Sequence, residues 1–324
     1  MPVEQRTIAS DDADQRLDRW FKKHFPTLGH GRLEKLLRTG QVRVDGKRVK
    51  ASDRLEAGQV IRIPPMDLTP APKPAERKVD ERDAKDLRAR VLHKDAEVLV
   101  IDKPAGLAVQ GGTGTDKHLD GLLDALKFDA KERPRLVHRL DRDTSGVLVL
   151  ARTAEAARWL GDAFKGRDTD KIYWAVVAGV PKIRQGTIDL KLAKLPGKAG
   201  ERVVVDEREG KKAITDYAVV EDIKGVAAWL ALKPITGRTH QLRAHLEAIG
   251  HPILGDGKYG GKSAHLEIAE APKQLQLHAR SIALRRPNGK MLKVEAPLPS
   301  HMKATWANFG FDARPDRDPF ADRE

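Results

Sequence analysis

The sequence predicts an α+β protein in two parts, a small basic α+β module over residues 14–66 and a larger α+β domain over residues 89–310. Three observations carry this. The apolar pattern of the first part changes from helical to alternating spacing, a run of prolines and charges then breaks all periodicity, and the remainder alternates strand-like with helix-like runs. With 324 residues and 40% apolar content, the chain can bury a core in each part.

In the module, Leu17, Trp20 and Phe21 fall at helical spacing, Leu33, Leu36 and Leu37 do so again, and Gly40 stands where a helix stops. Val42 and Val44 then alternate with polar residues, Asp45-Gly46 supplies a two-residue hairpin turn, and Val49 followed by Val60, Ile61 and Ile63 continues the strand pattern. Two short helices followed by a small hairpin-rich sheet are expected.

Pro64, Pro65, Pro70, Pro72 and Pro74 lead into the charged stretch Glu76 to Arg88, so residues 67–88 read as a linker. In the larger domain, Val98 to Ile101, Val147 to Leu150, Tyr173 to Val177 and Trp229 to Leu232 are strand-like, whereas Thr153 to Phe164 and Gln241 to Ile249 are helix-like. The tail, residues 311–324, is rich in Asp, Arg and Pro without an apolar face and is expected to be disordered.

Lys and Arg number 60 against 47 Asp and Glu, a net charge of +13, which points to a polyanionic partner. From Asp14 to Met66 there are 13 Lys and Arg against 6 Asp and Glu, so the excess is concentrated in the module. The absence of Cys excludes disulfides, thiolate catalysis and cysteine-bound metal centres. No apolar run is long enough to span a bilayer and the amino terminus lacks a secretory pattern, so no membrane partner is expected and a cytoplasmic location is.

The stretch His138-Arg139-Leu140-Asp141-Arg142-Asp143-Thr144-Ser145-Gly146 packs carboxylates, cations and hydroxyls between apolar runs. A carboxylate with arginines beside it is held in its charged form, which suits a nucleophile or a base. A solvated, salt-bridged loop before a strand is the plain alternative. The decision rests on three further segments: Val100-Ile101-Asp102-Lys103-Pro104-Ala105-Gly106-Leu107, Lys171-Ile172-Tyr173-Trp174-Ala175-Val176-Val177-Ala178-Gly179, and Gly237-Arg238-Thr239-His240-Gln241-Leu242-Arg243-Ala244-His245.

In this order the four segments resemble the motifs of the RluA, RluC and RluD family of ribosomal and transfer RNA pseudouridine synthases, over about Val91 to Leu298. Arg16 to Ile63 likewise resembles the small RNA-binding module, first known from a ribosomal protein, that precedes the catalytic domain in the RluC and RluD branches. The resemblance implies a catalytic domain with a mixed, largely antiparallel sheet. It also implies that Asp141 is the catalytic aspartate, that Tyr173 lies against the target base and that Arg243 pairs with the aspartate. Leu242, where Ile is frequent in the family, is a volume-conserving change.

The implied chemistry suits these residues. Isomerising uridine breaks the bond from ribose to N1, turns the uracil, joins C5 to the ribose and removes the C5 proton. A carboxylate can attack ribose or base, or abstract a proton to form a glycal, and these residues are consistent with each route. Tyr173 offers a ring face and a hydroxyl, although a core aromatic on a strand is its plain role. Arg243 offers a charge-assisted pair to the carboxylate, or else one more cation towards RNA. The reactive atoms of uridine lie inside the base stack, so the base is expected to flip into a pocket while cations hold the neighbouring phosphates.

His138, Arg139, Arg142, Arg238 and His240 are the candidates for that grip in the catalytic domain, and Arg32, Lys35 and Arg38 are those on the second helix of the module. Large-subunit ribosomal RNA, or a pre-ribosomal particle, is the expected partner of a monomer. An isomerisation without net redox change needs no cofactor and no metal.

Other readings fit less well. Asp143-Thr144-Ser145-Gly146 superficially resembles an aspartic protease loop, but no second such loop occurs to share a proton with it. A metal site on His240, His245, His251 and His278 meets the difficulty that a five-residue gap on a helix puts His240 and His245 on different faces. The glycines from Gly106 to Gly114 make neither a Walker loop nor a dinucleotide fingerprint. A pure RNA-binding scaffold is the remaining rival, against which the intact Asp141, Tyr173 and Arg243 speak.

Overall fold

A computed structural model describes residues 3–65, 79–112, 115, 117–166, 169–195, 202–266, 273–314 and 319–320. The chain divides into two compact units, Met1–Lys78 and Val79–Glu324.

In the first unit, β1 (Glu4–Thr7) is followed by α1 (Leu17–His24), α2 (His30–Arg38), β2 (Arg43–Val44) and β3 (Val60–Ile63). The strands form an antiparallel sheet in the order β1-β3-β2. Both helices lay their expected apolar residues on it: Leu17, Trp20, Phe21, Leu33 and Leu37 are buried with Val42, Val44, Ile61 and Ile63. Gly40 ends α2 at φ 68°, and Asp45 and Gly46, at φ 48° and 76°, take the left-handed pair that a tight hairpin requires.

Two details differ from expectation. The sheet begins before residue 14, because β1 pairs along β3 from Glu4 opposite Ile63 to Thr7 opposite Val60. Its residues, Glu-Gln-Arg-Thr, are largely exposed and show no apolar alternation, so only the backbone pairing reveals it. Val49 is in no strand and packs partly buried against the helices and sheet of the module.

The second unit runs α3 (Glu81–Ala89), β4 (Val91–Lys94), β5 (Val98–Lys103), the single turn α4 (Leu119–Leu122), β6 (Arg135–Leu136), β7 (Ser145–Ala151), α5 (Ala154–Lys165), β8 (Thr169–Ala178), β9 (Gln185–Leu195), β10 (Arg202–Val205), β11 (Lys211–Ile223), β12 (Ala227–Pro234), α6 (Gln241–Ala248), β13 (Leu277–Arg285), β14 (Met291–Glu295) and α7 (Ser300–Phe309). One sheet takes the strands in the order β10-β9-β11-β12-β8-β13-β7-β5-β4, with β14 beside β13 and β6 beside β7. The sheet is antiparallel except at the short parallel junction of β13 with β7, as the α+β class with a mixed, largely antiparallel sheet implied.

The strands nearest that junction are the most apolar. Every residue of β7 is buried, which requires cover on both faces of the sheet. On one face, α5 brings Ala156 and Leu160 against Val98, Val100, Val147 and Val149; on the other, Leu119, Leu123 and Leu126 meet Leu99, Ile101, Leu148 and Leu150. The Thr153 hydroxyl caps α5 by accepting the Ala156 N–H at 3.0 Å.

Two further expectations are corrected. The proposed linker 67–88 contains the start of α3, capped by the Asp80 carboxylate and buried through Ala84 and Leu87. One such apolar pair makes too short a stripe to register as periodicity. Residues 66–78 lie outside the described part, and with them Pro70, Pro72 and Pro74. The tail is not devoid of order either, since Phe311 and Phe320 are buried on the cluster of Trp174, Trp229 and Trp306. Isolated aromatics find a cavity that only the folded sheet supplies.

Candidate active site

The loop from β6 to β7 carries Asp141 to the edge of the parallel junction, where Ser145 is in register with His278 and Gly146 with Ala279. Gly146 has φ 107°, and a Cβ there would lie 2.2 Å from the Ala279 carbonyl oxygen, so only glycine permits this approach. Ser145 Oγ and His278 Nδ1 are 2.9 Å apart in the buried interior. From the other side the fully buried Lys103 donates to the carbonyls of Pro104, Leu107 and Arg142, each at 2.9 Å. Burial pushes the Lys103 amine down to about 8, with the charges of Asp143, Asp141 and Asp102 opposing. One side chain thus ties the loop after β5 to the loop that bears Asp141.

Asp141 faces a cavity of about 310 Å³ whose wall includes Tyr173 from β8, the Thr236 to Leu242 segment that enters α6, Leu277 from β13, and His138 with Phe164. Two nitrogen groups approach its carboxylate without touching it: the Arg243 guanidinium, Nη1 at 3.7 Å, and the His240 imidazole, Nε2 at 3.8 Å from Oδ2. Among the described residues no hydrogen bond reaches that carboxylate, so its lone pairs face the cavity. Neither arginine beside it in sequence bonds it. Arg139 is exposed, and Arg142 donates Nε to the Gly106 carbonyl at 3.1 Å and lies 4.0 Å from Asp143.

Arg243 is held by a residue that the sequence reading passed over. Its Nε and Nη2 donate to the two oxygens of Asp256 at 2.7 and 2.8 Å, a bidentate pair in which the arginine and the aspartate are both buried. Burial works against the guanidinium charge, and the Asp256 pair more than offsets it, so its pKa is raised. The pairing of Arg243 with Asp141 is therefore a longer contact on the far side of a clamped guanidinium. Asp256 also accepts the N–H groups of Lys258 and Tyr259, and the Tyr259 ring lies 4.9 Å below the guanidinium.

His240 stands at the start of α6 with φ 50°, a left-handed conformation that costs of order 1–3 kcal/mol in a non-glycine residue. The cost aims its ring at the site: Nδ1 meets the Tyr259 hydroxyl at 2.9 Å and Nε2 faces Asp141. The Tyr259 oxygen already accepts the Val203 N–H at 2.9 Å, and burial raises the phenol pKa, so its proton goes to Nδ1. Burial likewise lowers the imidazole pKa. The neutral tautomer then presents Nε2–H to the carboxylate, which makes His240 a direct neighbour of Asp141.

Tyr173 lies on β8, opposite Leu232 and Ala279 in the adjacent strands. Burial, with the Asp141 charge adding to it, pushes its hydroxyl well above the ordinary tyrosine range, so it is a neutral phenol. His138 is less a surface grip than a wall: Nε2 accepts the Val149 N–H at 2.8 Å and the ring stacks on Phe164 at 4.1 Å. Burial, then the nearby Lys171 charge, lowers its pKa to about 3. Arg238 is exposed on the rim and donates Nε to the Lys212 carbonyl at 3.2 Å. In the separate amino-terminal unit, Arg32, Lys35 and Arg38 are exposed along α2, opposite its buried Leu33 and Leu37.

His245, His251 and His278 each have a partner of their own, namely Thr215, the Ala178 carbonyl and Ser145. Of the residues that sequence reasoning missed, Lys171 was recoverable from its place two positions before Tyr173 on one strand face. Asp256 and Tyr259 had no such signal, because the turn that returns them to Arg243 is tertiary.

A carboxylate with a guanidinium and an imidazole N–H poised beside it but not bonded to it, next to a neutral phenol and an apolar wall, suits attack or proton abstraction on a flat heterocycle or its sugar. The family model described as RNA pseudouridylate synthase matches residues 97–248, from β5 to the end of α6. The chain belongs to the RNA pseudouridylate synthase family and is an isomerase of uridine in RNA.

Among individual relatives, it is 36% identical over 300 residues to ribosomal large subunit pseudouridine synthase C of Salmonella typhimurium, across 91% of this chain and 93% of that protein. The protein of the same name from Escherichia coli is 35% identical over the same shares. Among solved structures, human RNA pseudouridylate synthase domain containing 4 superposes with a TM-score of 0.58 at 30% identity, over 70% of this chain and 95% of the human one.

Proposed function

We propose that the chain isomerises discrete uridines of large-subunit ribosomal RNA, with Asp141 as the catalytic carboxylate, Tyr173 against the flipped base and Arg243 as the group that orients the aspartate. The observation that carries this is the Asp141 carboxylate itself, flanked by Arg243 Nη1 at 3.7 Å and His240 Nε2 at 3.8 Å with no bond to either. One positive charge and one N–H at this distance orient the carboxylate without consuming the lone pairs that the reaction needs. The ribosomal substrate is supported by relatives that are named for the large ribosomal subunit and match along nearly their whole length.

In this reading the cavity receives the extruded uridine, its base against the Tyr173 ring and its ribose towards Asp141. The phenol, too weak an acid to be a phenolate at neutral pH, acts as a donor or as one end of a proton relay from C5. The amino-terminal unit, through Arg32, Lys35 and Arg38, docks the structured RNA, and Arg139, Arg142 and Arg238 meet phosphates around the rim. A cytoplasmic monomer fits this role, and no helix among the described residues is long and apolar enough to cross a membrane.

The test is mass-spectrometric mapping of pseudouridine in ribosomal and transfer RNA from cells that lack the protein, complemented by the wild type or by Asp141→Asn. Loss at discrete large-subunit uridines, restored by the wild type alone, is expected. An unchanged ribosomal map would remove the ribosomal assignment, and rescue by the variant would remove Asp141 as the catalyst.

A further inference from the structure

Lys171 shares a face of β8 with Tyr173, because side chains two apart on a strand point the same way, and both line the cavity that Asp141 faces. It is partly buried, and among the described residues it makes no hydrogen bond or ion pair; its neighbour Asp170 pairs instead with Lys233 at 2.7 Å. Burial lowers its pKa, with Asp170 opposing. An ammonium in such a place is costly unless a counter-charge arrives.

The surroundings of Lys171 say what sort of group would arrive. His138, beside it, spends Nε2 on the Val149 N–H, so its proton sits on Nδ1 and its remaining polar atom is a donor without charge. Lys171 and His138 therefore bring donors to the cavity, an ammonium and an N–H. The Asp141 carboxylate in the same cavity is already faced by the Arg243 guanidinium and the His240 N–H. A carbonyl of the base would bring only a dipole to Lys171, whereas a phosphodiester brings a full negative charge and several acceptor oxygens. Lysine, a compact point charge, suits that partner.

We infer that Lys171, with His138 as a neutral second donor, holds one backbone phosphate adjoining the flipped uridine inside the cavity. The inference rests on the proposed reading of this cavity as the uridine site. It makes Lys171 a binding residue that draws the extruded nucleotide inward, while Asp141 does the chemistry.

The experiment measures binding of the full chain to an unmodified large-subunit ribosomal RNA transcript across a series of KCl concentrations, together with the rate of pseudouridine formation by each protein. Lys171→Gln is expected to flatten the slope of log affinity against log salt by about 0.7–0.9, the share of one phosphate, while Lys171→Arg keeps it. KM rises in the Gln variant and kcat at saturating RNA holds. An RNA carrying a neutral methylphosphonate next to the target uridine should give the wild type the same flattened slope, which tests the interaction without altering the protein.

An unchanged slope, or a fall in kcat with KM unaltered, overturns the inference and assigns Lys171 to the base or to the transition state. Should the slope flatten while the wild type forms no pseudouridine, the uridine-site reading falls and the phosphate interaction stands.

Discussion

Arg243 reaches two aspartates with different parts of one guanidinium: Nε and Nη2 grip Asp256 at 2.7 and 2.8 Å, and Nη1 is left 3.7 Å from Asp141. Asp256 is almost wholly buried, whereas Asp141 is partly open to the cavity. The tight pair spends the guanidinium's hydrogen bonds, and the loose one keeps its charge in play. A planar fork with a fixed third nitrogen can do both at once, which lysine cannot.

Asp256→Ala should therefore act on stability and on activity together. Breaking a buried ion pair from one side costs about 3–5 kcal/mol because the other charge is left uncompensated. The midpoint of urea unfolding is expected to fall accordingly, and pseudouridine formation to fall with it as Arg243 turns towards Asp141. Asp256→Asn, which keeps one acceptor, should lose less stability. Full activity in Asp256→Ala would show that the clamp on Arg243 is dispensable.

Lys103 sets an alkaline limit. Its folded pKa, about 8, lies below the ordinary lysine value, so between about pH 8 and 10 the unfolded chain binds a proton that the folded chain has released. This group's contribution to stability accordingly rises with pH across that window. Activity should move the other way, because the neutral amine has only two hydrogens for the three carbonyls that anchor the Asp141 loop. A pH profile of kcat that falls above about pH 8 in the wild type is expected, and the limb should vanish in Lys103→Met. A limb that persists in the variant would assign it to another group.

Acid stability is governed by buried neutral histidines. Burial holds His138 down to about 3 and His245 and His278 to about 4, all below the unfolded value. As pH falls from about 6.5 towards 4 the unfolded chain takes up protons that the folded chain refuses, so stability is lost at about 1.4 kcal/mol per pH unit for each histidine. The slope of unfolding free energy against pH should be shallower by one such increment in His278→Gln, once its overall stability is allowed for. An identical slope would mean that His278 titrates alike in both states.

The amino-terminal unit is tested by charge alone. Replacing Arg32, Lys35 and Arg38 on the exposed face of α2 with Gln should flatten the salt dependence of ribosomal RNA binding by about 0.7–0.9 for each phosphate that these side chains neutralise. Thermal unfolding should be unaffected, since none of the three is buried. An unaltered salt slope would show that RNA docks elsewhere.

Much of this was readable along the chain. The strands holding Val98 to Ile101, Val147 to Leu150, Tyr173 to Val177 and Trp229 to Leu232, and the helices over Thr153 to Phe164 and Gln241 to Ile249, follow from runs of apolar residues that must be buried on one face or on both. Elements whose burial is slight were not readable: β1 has no apolar face, and α3 has Ala84 and Leu87 alone. The tail residues Phe311 and Phe320 looked unstructured because their partners, Trp229 and Trp306, are brought together only by the fold.

By itself the sequence determined the division into a basic module and an α+β domain, and the family, because periodicity and ordered motifs are local properties. It brought Asp141, Tyr173 and Arg243 to notice for the same reason. Tertiary structure alone decided what surrounds them: that Arg142 bonds the Gly106 carbonyl, that Asp256 clamps Arg243, that Tyr259 orients His240, and that Lys171 enters the cavity without a partner among the described residues. Electrostatic fields depend on distance in space, and a separation of a few ångströms between side chains far apart in the chain is set by how the sheet packs, not by their order along it.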